Sequence, residues 1–311
     1  MKNKIFCTFL SLLMICNYGS YGNSSKEQQE NLISDNDNFA NYKIKKYLPF
    51  VLTATVIPIG GYFIHSGLKT NDNSSDPNQL KPLYTKKLNK VTLRIIRHGG
   101  TNTGLLIANT KEDPFVVKDK NGNNLTTAIV SPNNQACQDG ALAGAIENKG
   151  GNDVKDDKQK WIKEGQDRNF GIDNYTGKPI AIKYGEAKLG RPGNFKELKN
   201  IIHTVGPYVP SGDPTSEQEE QLKNSYINSL KLAAQNDIHR IVFPPISLGV
   251  FNFPIVKGTD IPIQSIKEFS KGDTGSLEYI DIWMINDGNK YPFLVKSIGI
   301  LGVPDDISDR K

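Results

Sequence analysis

Two turns in this sequence place small residues beside polar side chains, a combination that could bind an anion. The first turn lies within residues 131–146, which read SPNNQACQDGALAGAI. It leads into Gly140, Ala141 and Leu142, where we predict that a helix begins. Amide N–H groups at a helix N-terminus lack partners within the helix and favour negative charge. The segment therefore predicts a phosphate-binding loop, although Gly and Ala also serve close packing of a helix on a sheet.

The second turn lies within residues 243–254, which read FPPISLGVFNFP. Gly249 could adopt a conformation in which successive amide groups point inward and bind phosphate oxygens. Phe251 or Phe253 could then cover a sugar ring. The alternative is that both phenylalanines belong to the hydrophobic core.

Side chains that bind metals or nucleic acids are scarce. Cys7 and Cys16 lie in the first apolar segment, Cys137 stands alone in the body of the chain, and the four histidines show no ligand spacing. We therefore expect no disulfide framework, no metal site and no other cofactor. The net charge of +5 is spread along the chain without a basic run interleaved with aromatic residues. A nucleic-acid partner is not expected.

Short apolar runs alternate with predicted helices in the second part of the chain. The runs of strand length are residues 91–96, 126–131, 179–183, 200–205, 240–244 and 279–285. Alternation of this kind is typical of α/β domains with a mixed or mostly parallel sheet covered on both faces. Ligands of such sheets bind at the carboxyl ends of the strands. The loops after Ser131 and Pro245 are therefore the expected binding loops.

Two helices can be placed by their first residues. One is predicted to begin near Thr215 or Ser216, with Glu219 placed for a capping box if Ser216 is the cap. The other is predicted to begin near Asp260, with Pro262 in its first turn.

The first 88 residues differ in composition from the rest. Residues 1–22 have a basic start and an apolar run, which predicts a signal peptide or an uncleaved anchor. Residues 23–47 form a polar spacer, and residues 48–66 are a possible transmembrane segment because residues 48–64 carry no charge. An interfacial or buried segment is the alternative. Residues 67–88 are expected to be a linker, so the protein is expected to be membrane-anchored or secreted, on a side of the membrane that the lysine distribution does not determine.

The two turns, together with residues 201–207 (IIHTVGP) between them, resemble the macro domain family. Members of that family carry an Asn-Ala-Ala-Asn turn, a Gly-Gly-Gly-Val run leading into Gly-Ala-Ile, an Ile-His-Thr-Val-Gly-Pro strand and a Phe-Pro-x-Ile-Ser-x-Gly-Val-Phe loop. The order and rough spacing of these motifs agree with this sequence. The resemblance implies a three-layer α/β/α macro domain with a mixed, mostly parallel central sheet over residues 89–305. It also implies a cleft that binds ADP-ribose.

The resemblance assigns roles to individual residues. Asn134 matches the last asparagine of the turn, which binds the distal ribose and positions a water molecule in hydrolases. His203 is matched as well, with a mainly structural role. The residues implied to bind the ligand are Asn134, Gly140, Ala141, Leu142, Pro245, Ile246, Ser247, Leu248, Gly249, Val250 and Phe251. Among these, Phe251 is implied to pack on the distal ribose.

Several positions depart from the family pattern. The first loop begins Ser131-Pro132-Asn133 and is one residue shorter than usual. Asp139 stands where a glycine is common and should weaken anion binding, unless its side chain points to solvent. Ala143 replaces an aspartate found in many hydrolases of the family, as it also does in viral-type members. Residues 98–101 replace Gly-Asp-Ile-Thr, so the aspartate that holds adenine is absent or displaced into residues 102–124.

Three functions are consistent with these features. The first is a metal-free hydrolase that removes ADP-ribose from mono-ADP-ribosylated protein or cleaves a related ester, with Asn134 as the residue that positions ribose and water. The second is a reader module that binds ADP-ribose, free or attached to protein, without turnover. The third is a surface protein whose cleft has lost nucleotide binding. The expected partner is ADP-ribose or ADP-ribosylated protein, membrane contact is possible through residues 48–64, and the chain is expected to be a monomer.

Overall fold

The computed structural model describes residues 82–97, 118–138, 140–284 and 290–305. All described residues belong to one compact unit, which lies within Asp76–Lys311. The predicted signal, spacer and transmembrane segments (1–22, 23–47 and 48–66) lie outside the described residues. Within the described ranges, every helix is too short or too polar to cross a lipid bilayer.

Seven strands and five helices make up the described part of the chain. The strands are β1 (Tyr84–Leu88), β2 (Val91–Arg97), β3 (Thr127–Pro132), β4 (Ala187–Gly190), β5 (Asn200–Thr204), β6 (Arg240–Phe243) and β7 (Tyr279–Met284). The helices are α1 (Ala141–Gly150), α2 (Asn152–Asp167), α3 (Ser216–Gln235), α4 (Ile255–Phe269) and α5 (Lys290–Leu301).

The strands form one mixed sheet in the order β1-β2-β7-β6-β3-β5-β4. The five central strands are parallel to one another, whereas the two outermost strands, β1 and β4, are antiparallel to the strands beside them. This arrangement confirms the mixed, mostly parallel sheet. The carboxyl ends of β6, β3 and β5 consequently lie side by side at one edge of the sheet.

Helices cover both faces of the sheet, as expected for three layers. On one face, α3, α4 and α5 contribute residues such as Tyr226, Ile263 and Phe293 to the largest hydrophobic cluster. On the other face, Leu142 and Ile146 of α1 pack with Val154 of α2 in a second cluster. Neighbouring residues of each central strand therefore point into different clusters, which explains why most residues of these strands are apolar.

The N-terminus of α3 shows which of two possible caps is used. The Thr215 side chain accepts a hydrogen bond from the Gln218 N–H, and the Gln218 side chain accepts one from the Thr215 N–H. This is a capping box built on Thr215. The predicted start is confirmed, whereas the box predicted with Ser216 and Glu219 is wrong.

Two other boundaries differ from the prediction. Helix α4 begins at Ile255, because Pro254, with φ −57°, supplies its cap, and Pro262 lies inside the helix instead of in its first turn. Strand β1 belongs to the sheet, so the ordered domain extends into the segment 67–88 that we expected to be a linker.

Residues 179–183 do not form the predicted strand. The Ala181 and Ile182 N–H groups both donate to the carbonyl oxygen of Gln135, at 2.7 and 3.1 Å. Both side chains are buried beside Trp161 of α2. The segment is apolar because it packs in the interior, but its backbone is bonded to the first loop and not to a neighbouring strand.

Candidate functional site

Three loops meet at the edge of the sheet where β6, β3 and β5 end. The Asn133 N–H, just after β3, donates to the Thr204 carbonyl at the end of β5, at 2.8 Å. The Val209 N–H donates to the Phe251 carbonyl at 2.9 Å, which joins the loop after β5 to the loop after β6. The two turns identified in the sequence are therefore brought to the same edge of the sheet.

The loop after β3 is shaped mainly by Asn134. Its side chain is 7% exposed, donates from Nδ2 to the Gln138 carbonyl and accepts from the Gln138 N–H at 3.2 Å. Cys137, between them, has φ 54° and lies in the left-handed region. The sequence expectation assigned the Asn134 amide to a ribose and a water, whereas here both of its polar groups are bonded to the loop itself.

Helix α1 begins directly after this loop. Gly140 precedes the helix with φ 103°, a conformation that strains any other residue. Gly140 and Ala141 are exposed, whereas the Leu142 side chain is buried in the core. Only the backbone of Leu142 is therefore available to a ligand at this helix N-terminus. Asp139 lies outside the described residues.

The loop after β6 is fixed to helix α3. The Ile246 N–H donates to the Tyr226 hydroxyl at 3.1 Å, and Ile246 itself is buried in the largest cluster. Burial raises the pKa of the Tyr226 hydroxyl, which stays protonated. This bond holds the start of the loop in place from the interior.

The left-handed residues of this loop are not those that we expected. Ser247 has φ 63° and Asn252 has φ 54°, whereas Gly249 is not in the left-handed region. Gly249 and Val250 are exposed, with Val250 at 70%. Pro245 and Leu248 are half-buried and Ser247 is buried. The turn thus depends on Ser247 and Asn252, and Gly249 leaves open space above it.

Phe251 and Phe253 have different environments. Phe253 belongs to the largest hydrophobic cluster, so the core alternative is confirmed for this residue. Phe251 is half-buried and contacts the rings of Tyr175 and Tyr208, with centroid distances of 5.2 and 5.6 Å. Tyr175 and Tyr208 also contact each other at 4.8 Å. The three rings form one aromatic group at the edge of the site.

His203 lies below the site, in the interior. Its ring is fully buried, accepts a hydrogen bond from Asn133 Nδ2 at 3.2 Å and packs edge-on against Trp161. Burial, together with the positive charge of Lys158, lowers the pKa of His203 to about 3. A neutral imidazole without exposed surface cannot exchange protons with a ligand, so its role is structural.

Cys137 is not a nucleophile either. Its side chain is 2% exposed, and burial raises the pKa of the thiol to about 12. The nearby charges of Lys158 and Lys188 oppose that rise but do not overcome it. A thiol in this state is unreactive at neutral pH.

Sequence reasoning missed two tyrosines of the site. Tyr208 comes directly after the Gly206-Pro207 turn, so its position at the end of β5 was a usable signal. Tyr175 comes from a loop between α2 and β4, and its sequence surroundings do not point to Phe251. The backbone carbonyl of Gln135 accepts the N–H groups of residues 181 and 182. Because its side chain takes no part in these bonds, the residue type could not predict this role.

The part of the chain that holds these loops is similar in sequence to known proteins. The sequence profile of the family described as Macro domain matches residues 130–261. A protein of Escherichia fergusonii named O-acetyl-ADP-ribose deacetylase is 38% identical over 85 residues, which are 27% of this chain and 46% of that protein. ADP-ribose glycohydrolase MACROD2 of Xenopus laevis is 35% identical over 96 residues, 31% of this chain and 22% of its own.

A solved structure agrees in fold. The Oceanobacillus iheyensis macrodomain with ADP superposes with a TM-score of 0.51 at 23% identity, covering 70% of this chain and 95% of the other. The chain spans about half the length of the curated relatives that it matches, with 57%, 47% and 46% covered in three of them.

Proposed function

Because residues 130–261 of this chain match the macro domain family, we propose that the cleft between its two loops binds ADP-ribose. The observation that carries the proposal is that the loop after β3 and the loop after β6 lie at the same edge of the sheet. There, the N-terminus of α1 supplies amide N–H groups without partners in the helix, which suit the oxygens of a diphosphate.

The proposed ligand contacts are mostly backbone contacts. Amides of Gly140, Ala141 and Leu142 bind one side of the diphosphate, and those of residues 247–251 bind the other. The exposed Gly140 and Gly249 let a ligand approach the main chain closely. The half-buried ring of Phe251 packs on the distal ribose.

We further propose that the site removes ADP-ribose from mono-ADP-ribosylated protein or cleaves a related ester, without a metal. In the first reaction, a water oxygen bonds to the anomeric carbon of the distal ribose. The bond from that carbon to the protein side chain breaks, and the water proton passes to the departing side-chain group. Amides placed along the diphosphate hold the substrate in the geometry of attack. Asn134 orients the ribose in this proposal.

A reader without turnover is the second candidate, and the Asn134 bonds favour it. Both polar groups of the Asn134 amide are bonded to Gln138, so contact with a ribose requires one of them to exchange. His203 and Cys137 are buried and cannot replace it. The binding proposal is independent of this choice.

One experiment tests binding and turnover in sequence. Titration of the full chain with ADP-ribose in a calorimeter should give saturable heat, and heat at the level of the buffer blank would overturn the binding proposal. The full chain is then incubated with a mono-ADP-ribosylated protein. Release of ADP-ribose that is lost in Asn134→Ala supports the hydrolase, whereas binding without release supports the reader.

We also propose that residues 1–22 and 48–66 place the domain at a membrane or outside the cell. The charge-free run 48–64 and the basic start support this location. Carbonate extraction of cells that express the full chain tests the anchor. Recovery of the uncleaved chain in the extracted soluble fraction would contradict it.

A further inference from the structure

The loop between α2 and β4 carries exposed apolar side chains next to the proposed cleft. Tyr175 is 39% exposed and Ile172 is 59% exposed. Within the described ranges, exposed large hydrophobic residues are few, and three of the four, namely Ile172, Tyr175 and Val250, lie on this loop or on the loop after β6. The fourth, Val295, lies on α5. Scattered apolar residues are normal on a surface, but grouping beside a cleft is typical of an interaction site.

Contact between aromatic rings joins these two loops. The Tyr175 ring lies 5.2 Å from that of Phe251, which directly follows the exposed Val250. In the proposed function, Phe251 packs on the distal ribose, the part of ADP-ribose that is attached to a protein. A polypeptide that is attached to that ribose therefore extends past the residues beside Phe251, on the rim of the cleft.

The loop is held in one conformation by Asp173. This buried carboxylate accepts hydrogen bonds from the Tyr175 and Thr176 N–H groups, each at 3.2 Å, and from the Thr176 hydroxyl at 2.7 Å. Backbone bonds from Asp173 N–H to the Lys178 carbonyl and from Gly177 N–H to the Asp173 carbonyl close the turn at 2.8 Å. A surface fixed before binding loses little conformational freedom when a partner contacts it.

We infer that Ile172, Tyr175 and Val250 form a docking surface, here called the apolar rim, for apolar side chains beside the modified residue of an ADP-ribosylated polypeptide. The inference rests on the proposed function, because the rim adjoins the site only if Phe251 contacts the distal ribose. The partner is apolar because these side chains offer aliphatic and aromatic surface, which gains free energy mainly by excluding water. The rim makes the protein distinguish modified polypeptides by sequence, while free ADP-ribose does not use it.

Two synthetic peptides and two matched variants test this inference in the full chain. Each peptide carries one ADP-ribose in a non-hydrolysable linkage, flanked by leucines in one peptide and by serines in the other. The unmodified chain should bind the leucine-flanked peptide at least fivefold more tightly. Ile172→Ser should remove that preference and leave the affinity for free ADP-ribose unchanged. Val295→Ser makes the same change at an exposed site on α5 and should keep the preference.

The outcomes separate this inference from the proposed function. Equal affinities for the two peptides, or a preference that survives Ile172→Ser, would overturn the apolar rim while ADP-ribose binding stands. Loss of preference in Val295→Ser as well would also overturn it, because the effect would then not belong to the rim. A full chain that binds neither peptide nor free ADP-ribose would overturn both.

Discussion

The Asn134 carboxamide is bonded through both of its polar groups to the backbone of Gln138, four residues later. These two bonds close the turn that contains Cys137 in a left-handed conformation. The loop that leads into α1 therefore depends on this one side chain. Loss of Asn134 changes the shape of the proposed phosphate loop as well as any contact that it makes with a ribose.

Asn134→Asp removes one hydrogen bond of the loop while it keeps the size of the side chain. Aspartate keeps the acceptor for the Gln138 N–H but places a negative oxygen against the Gln138 carbonyl. We expect the free energy of unfolding at pH 7 to fall by about 1–3 kcal/mol, as for a buried group left without its partner. Urea unfolding measures this change. Asn148→Asp, on an exposed position of α1, is the control and should match the unmodified chain; equal loss in both variants would contradict the loop role of Asn134.

Gly206→Ala should disturb the second loop from the side of β5. A methyl group at Gly206 would overlap Ser247 Oγ and Ile246 Cγ2, so the loop after β6 must shift. We expect unfolding free energy to fall by about 1–3 kcal/mol from overpacking and ADP-ribose affinity to fall with it. Calorimetric titration and urea unfolding measure the two effects.

Gly144→Ala is the matched control for this substitution. Gly144 lies within α1, and a methyl group there meets nothing within 4 Å. Alanine favours a helix over glycine by about 1 kcal/mol, so this variant should be slightly more stable. Unchanged ADP-ribose affinity in Gly206→Ala would show that the second loop tolerates displacement.

Stability should fall in mild acid because His203 is buried in its neutral form. Its pKa is about 3 in the folded protein, against an ordinary value of 6.5, because of burial and the charge of Lys158. The unfolded chain therefore binds a proton that the folded chain does not, between pH 6.5 and pH 3. The stabilisation is complete above pH 6.5 and is lost as the pH falls. At pH 4.5, two pH units below the ordinary value, this one group removes about 3 kcal/mol.

Comparison with His203→Gln isolates this effect. Urea unfolding of both proteins at pH 7.5 and pH 4.5 gives the change with pH for each, and carboxylate titrations common to both cancel in the difference. The unmodified chain should lose more stability than the variant. Identical losses in His203→Gln and the unmodified chain would rule out a neutral buried His203.

Asp281→Asn should destabilise the centre of the sheet. The Asp281 carboxylate is fully buried and accepts hydrogen bonds from Arg94 at 2.7 Å and from Arg240 at 2.8 Å. Asparagine removes the negative charge that both guanidinium groups share. We expect a loss of about 3–5 kcal/mol in urea unfolding, the usual cost of breaking a buried ion pair.

An exposed ion pair provides the contrast. Lys163 and Asp167 form a bridge on the surface of α2 with side chains 75% and 62% exposed. Asp167→Asn should change stability by less than about 0.5 kcal/mol, since exposed pairs contribute little. A loss in Asp281→Asn as small as this would mean that the buried carboxylate is dispensable.

The central strands could be predicted because they are buried on both faces. Residues such as Ile129 and Ile201 give apolar runs of the kind that a sheet covered on both faces produces. Edge strand β1 reads YTKKL and is half exposed, so it lacks that signal. Residues 179–183 carry the same signal for another reason, since Ala181 and Ile182 pack against Trp161 without pairing in the sheet.

The position of the loops after β3 and β6 at one edge of the sheet was also predictable, but their internal geometry was not. The sequence Ser-x-Gly in the second loop suggested that the glycine adopts the unusual backbone conformation. Instead, Ser247 and Asn252 adopt the left-handed conformation. Main-chain dihedral angles depend on contacts made from outside the loop, such as the Tyr226 hydroxyl on Ile246. Tyr175 reaches Phe251 from a distant loop, and no local pattern encodes that contact.

Strand β3 lies between β5 and β6, which both follow it in the sequence. The edge of the sheet that carries the three loops can therefore form only after β5 and β6 have been synthesised. The side chain of Asn133 is hydrogen-bonded to His203, 70 residues later, and that of Thr126 to His239, 113 residues later. Long-range pairings of this kind form slowly, because a long loop must close before any of them contributes. Until residue 254 has been synthesised, the nascent chain contains the loop after β3 but not the complete loop after β6. Such a nascent chain exposes the apolar strands of the sheet before the loop after β6 can lie beside the loop after β3.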